Sequence, residues 1–165
     1  MSEIPLIHSY TRHEAIADGV LVDIEKDFPG MSKQAGLEFP VVLTARAFSR
    51  YVALNTNAKK ALEDPKGRLW DVLWMLRIRI KFIKLSSDNK KLDNIKFSFL
   101  CTVPSEDEPF AIETLPPSDE EDEEVFLEEM ASYLQQNKRL CWLKAVIGPD
   151  DEGKGCITIM LPWED

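Results

Sequence analysis

Residues 68–85 read RLWDVLWMLRIRIKFIKL, and the period assigned to them decides the fold. Leu69, Val72, Leu73, Leu76, Ile80 and Ile83 recur at steps of three and four, which lines up one apolar stripe on a helix. Arg77, Lys81 and Lys84 fall together on another face. The competing reading is a strand from Arg77, because R-I-R-I-K-F alternates with period two. The length of the stripe favours a central helix. Downstream, residues 95–103, 140–147 and 156–161 are rich in β-branched and aromatic residues and read as strands. Residues 148–155 hold three glycines and a proline, the composition of a hairpin connection.

Upstream, Thr11 and Glu14 form a capping box that starts a short helix over 12–17. Asp18-Gly19 breaks it, and residues 20–24 have the character of a buried strand. A turn at Pro29-Gly30 leads to a small helix near 32–35, which Gly36 can end in the left-handed region. Residues 40–44 are extended, and Thr44 can cap a helix reaching about residue 54. Helices and strands mix without regular β-α-β alternation. The expected fold is therefore α+β, an antiparallel sheet with helices packed on one side. It forms one domain over 1–165, with an acidic helical insertion over 104–138.

With 165 residues, 44% hydrophobic and 30% charged, the chain can bury a core of ordinary size. Twenty Lys+Arg against 29 Asp+Glu give a formal charge of −9, which argues against direct nucleic-acid binding. The first residues lack a secretory pattern and there is no 18-residue apolar run, so a cytoplasmic protein without membrane contact is expected. Cys101, Cys141 and Cys156 are odd in number and widely spaced, and read as small core residues rather than a disulfide framework or a thiolate zinc site.

The charge is unevenly spread. Residues 59–96 hold 11 basic and 5 acidic residues, whereas residues 106–129 hold 12 acidic residues and no basic one. Within the latter, Asp119, Glu120, Glu121, Asp122, Glu123 and Glu124 are consecutive, and Phe126, Met130, Tyr133 and Leu134 follow at helical spacing. Ser118 with Glu121 is a capping box for an amphipathic helix, whose dipole favours acids at its start. Six carboxylates over roughly 9 Å of helix approach the density of duplex DNA, about one charge per 1.7 Å. Beside the plain reading as the capped start of an amphipathic helix, such a run is expected to offer a docking surface for a basic protein.

Four segments carry a family likeness: HSYTRHEAIADGVLVD (8–23), PVVLT (40–44), GRLWDVLWM (67–75), and KAVIGPDDEG followed by ITIMLPWED (144–165). They resemble an uncharacterised family of small bacterial, phage and plasmid proteins known as a domain of unknown function. The resemblance implies no established reaction. By association with mobile elements it implies anti-defence or regulatory roles, and it sets residues 104–138 apart as an elaboration on the shared core.

The remaining constellations are modest. His8 and His13 share no fixed face, so no metal is expected. Asp18 and Asp23 bracket a strand and would stand roughly 16 Å apart if extended, too far for one reacting centre. Trp70 and Trp74 are four apart and belong to a core more naturally than to a base-stacking platform. Arg68 and Asp71 open the central helix as a charged pair that can line a pocket. No G-x-S-x-G, P-loop or H-E-x-x-H occurs. The leading expectation is a non-catalytic acidic binding protein without cofactor, engaging a basic protein surface as a DNA mimic. The alternative is a small enzyme or ligand binder with a pocket around Asp18, Asp23, Arg68 and Asp71.

Overall fold

The computed structural model describes residues 10–54, 64–85, 94–102 and 138–165. In chain order these form α1 (Arg12–Ala17), β1 (Leu21–Asp23), α2 (Ile24–Asp27), α3 (Met31–Gln34), β2 (Val41–Thr44), α4 (Ala45–Tyr51), α5 (Pro65–Leu85), β3 (Asn94–Thr102), β4 (Lys138–Pro149) and β5 (Gly155–Met160). The strands make one sheet in the order β1-β2-β5-β4-β3. The architecture is α+β. Three of the four strand pairs are antiparallel, and β2 runs parallel to β5, with Val41 opposite Ile157 and Leu43 opposite Ile159. The sheet is thus mostly antiparallel, as expected, with this one parallel pair inside it. The parallel pair arises because β5 returns from the β4 hairpin into the gap beside β2, a long-range choice that the short segment Val41–Thr44 does not encode.

Pleating sends alternate residues to opposite faces. One face presents Val41, Leu43, Ile95, Phe97, Phe99, Leu143, Ala145, Ile157 and Ile159, all buried in a single cluster. Leu69, Val72, Leu73 and Leu76 of α5 pack into it together with Ile24, Met31, Ala47 and Tyr51 from α2, α3 and α4. Each Val, Leu, Ile, Phe or Met side chain among them contributes about 1.5–3 kcal/mol when removed from water. The period-two pattern after Arg77 is thus overridden. Once helix starts at Pro65, the 3.6-residue stripe keeps burying surface, and Ile80 and Ile83 continue it as half-buried contacts.

Local chemistry sets the element ends. Thr11 Oγ1 accepts from Glu14 N while Glu14 Oε2 accepts from Thr11 N, closing the capping box of α1. Thr44 caps α4 by accepting from Ala47 N at 3.2 Å. The strand expected over 20–24 is shorter, because the Asp23 carboxylate caps α2 and draws Ile24 into the helix as a fully buried residue. The β4–β5 turn is tied by Asp150 Oδ1, which accepts from Glu152 N and Lys154 N.

Two further expectations are corrected. Cys101 and Cys141 form a disulfide between β3 and β4, with Cα atoms 6.5 Å apart. In the strand register Cys101 faces Arg139 and Cys141 faces Phe99, so the two cysteines are diagonal neighbours on the same face, a relation invisible at a separation of 40 residues. Trp74, expected in the core, is 40% exposed on the outer side of α5, and Trp70 is half-buried. The acidic segment expected at 104–138 lies outside the described residues, apart from Lys138, which opens β4.

Candidate functional site

A pocket of about 480 Å³ opens at the start of α5, between α3, the end of α4 and the end of β3. Asp64 immediately precedes Pro65 and its Oδ1 accepts from Gly67 N at 2.7 Å, an N-cap that fixes the first turn of α5. This turn directs Arg68 inward and leaves Asp71 exposed, and both line the pocket. Arg68 is 7% exposed, and its Nε donates to the Tyr51 carbonyl at 2.7 Å. Tyr51 in turn meets Phe99 edge-to-face, ring centroids 5.1 Å apart. The pocket therefore combines a buried guanidinium, a rim of Asp64, Lys66 and Asp71, and aromatic walls. Polar groups that converge in an otherwise apolar concavity are the usual makings of a ligand site.

Asp18 and Asp23 stand elsewhere. Asp18 is the C-cap of α1, and its Oδ2 accepts from the Tyr10 hydroxyl at 2.9 Å. Asp23 accepts from Glu25 N at 3.0 Å as the cap of α2. Neither lines the pocket that holds Arg68 and Asp71. The acidic residues Asp119, Glu120, Glu121, Asp122, Glu123 and Glu124 lie outside the described residues. Tyr51 from α4 and Phe99 and Cys101 from β3 reach the pocket and carry no local signal of doing so. Asp64 does carry one, since Asp-Pro ahead of an apolar stripe marks a helix start.

The cysteines offer no activated nucleophile among the described residues. Cys101 is held in its disulfide, and Cys156 is buried on β5, where burial pushes its thiol up. No group of three or more His, Cys, Asp or Glu among the described residues is placed to hold a metal ion. Comparison with protein-family models, with curated proteins and with solved structures finds no match to the chain.

Proposed function

We propose that the chain is a non-catalytic binding protein whose core carries the acidic run 119–124 to a basic protein surface, acting in the cytoplasm as a DNA-mimicking inhibitor. The observation that supports this reading best is the dispersal of the core's conspicuous polar residues. Thr11, Asp23, Thr44 and Asp64 each cap a different helix, and Asp18 is tied to Tyr10, so these groups serve the backbone rather than one reacting centre. The charge layout adds to it, with 12 acids and no base in residues 106–129. We further propose that the chain belongs with the uncharacterised bacterial, phage and plasmid family that four of its segments resemble, and that it has an anti-defence role on a mobile element. No helix among the described residues is long and apolar enough to cross a membrane, which is compatible with the cytoplasmic part of the proposal.

The test compares the immobilised chain with a variant in which residues 119–124 are changed to Asn or Gln. Host lysate is passed over both at low and high salt. A partner held at low salt, released at high salt and missing from the variant is expected, because exposed charges are screened over about 8 Å at physiological ionic strength. A partner that the variant keeps at full affinity overturns the reading. One observation favours a second reading, a small-ligand binder: Arg68 and Asp71 line a common pocket with Tyr51 and Phe99. In that case Asp71→Asn, which leaves 119–124 intact, changes binding of a ligand identified by native mass spectrometry.

A further inference from the structure

Helix α5 is apolar on two opposite sides. One side, Leu69, Val72, Leu73 and Leu76, is fully buried against the sheet. The other carries Trp74, Phe82 and Leu85, which are 40%, 61% and 80% exposed. A surface helix normally pairs its apolar stripe with a polar outer face. A cluster of large apolar side chains left outward marks an interaction surface.

Its chemistry is cationic as well as apolar. Trp70, Trp74, Arg77, Lys81 and Leu85 follow one another at steps of four, three, four and four, so they run along one side of the helix over roughly 22 Å. Trp70 and Trp74 stack at 5.8 Å, and the Arg77 guanidinium covers Trp74 at 5.5 Å. Gly36 makes room for this arrangement. It adopts φ +82°, and a Cβ there would collide with Arg77 Nε. Trp74 thus has Trp70 stacked on it and the Arg77 guanidinium over its ring, and the 40% of it left exposed sits in a setting both aromatic and cationic. From Val72 to Leu85 the helix has Arg77, Arg79, Lys81 and Lys84 and no acidic residue.

A fitting occupant carries carboxylates next to large apolar groups. Such a segment is written in this same chain, where the six acids of 119–124 are followed by Val125, Phe126, Leu127, Met130, Tyr133 and Leu134. We propose that the outward face of α5 is the docking surface for segment 118–134 of a second copy of the chain. The contact is heterologous, since two different surfaces meet, so it closes by reciprocal exchange or propagates as a chain. Lys81 and Lys84 are exposed, so ionic strength governs the strength of the contact.

Sedimentation of the full chain at rising concentration tests this. At low salt the weight-average mass is expected to climb toward that of a dimer or beyond, and to return to the monomer value at high salt. Lys81→Glu with Lys84→Glu, Trp74→Ser with Phe82→Ser, and the 119–124 amide variant should each weaken association at least tenfold. The substituted helix positions are exposed, so the melting transition should persist, and a variant that loses it is replaced by Lys81→Gln with Lys84→Gln. The deciding measurement mixes the Lys81/Lys84 charge-reversal variant with the amide variant. Each is defective alone, and the mixture should associate through the one intact pairing. A peptide of residues 116–136 should compete. Monomer at every concentration, or association indifferent to the α5 substitutions, overturns the proposal. So does capture of a single-stranded oligonucleotide or anionic vesicles by the same face with no self-association. The α5 substitutions leave the acidic run intact, so capture of a foreign basic partner survives them and the two readings fail separately.

Discussion

At the tip of the β4–β5 hairpin, the Asp151 carboxylate accepts hydrogen bonds from Arg12 N and His13 N, both at 2.8 Å, across more than 130 residues of sequence. These are the first two N–H groups of α1, which have no partner within the helix. Glu25 plays a comparable part in the turn between α2 and α3. Burial alone would raise its carboxyl, but hydrogen bonds from Ser32 Oγ and from the backbone of Gly30 and Ser32 together hold it below the usual range. A carboxyl depressed in the folded state stabilises the fold above its unfolded value, about 4.3, and that contribution is lost as pH falls through the folded value. Glu25→Gln should therefore lower the urea midpoint at neutral pH, and the gap from the parent should shrink below about pH 4. Parallel denaturation series at pH 7 and in acid check this. A gap that stays constant would place the effect in packing around buried Ser32 rather than in the charge.

For the elements, α5 provides the sharpest contrast between its two sides. Leu73 and Leu76 are fully buried, so truncation of either to Ala should cost roughly 2–5 kcal/mol. Lys81→Gln or Lys84→Gln, at exposed positions, should stay within about 0.5 kcal/mol in the dilute monomer. Chemical denaturation separates the two classes, and equal losses at all four sites would contradict a helix with one buried side. The same helix shows what sequence discloses and what it withholds. Its existence, its buried stripe and the position of Arg68 and Asp71 near its start follow from periodicity, and Thr11, Thr44 and Gly36 announce their ends by local chemistry. Partners that come from elsewhere in the chain are not announced. Tyr51 and Phe99 reach the pocket, β5 lies parallel to β2, and Cys101 meets Cys141 through long-range pairing. Trp74 faces outward for a related reason, since an aromatic on a helix joins the core or faces out according to which stripe the sheet claims.

Across the whole molecule, the ends of β3 and β4 are held together twice. Thr102 pairs with Lys138 at the open end of the ladder, and one step inward the Cys101–Cys141 disulfide links the same two strands. The acidic segment therefore leaves and rejoins the sheet at adjacent points. A cross-link between residues 40 apart removes unfolded-chain entropy worth about 3–4 kcal/mol. Such a bond and a reducing cytoplasm pull in opposite directions, because thiol buffers there keep most cysteines reduced. The purified, air-exposed chain, denatured without reductant, should therefore show one reactive thiol, Cys156, and three after reduction. Guanidinium unfolding with and without reductant should differ by the loop-closure term, and Cys141→Ser should remove that difference while Cys156→Ser leaves it. Three reactive thiols before reduction would show that Cys101 and Cys141 are packed neighbours whose sulfurs fill the core without a bond. The fold would then be equally stable in both redox conditions.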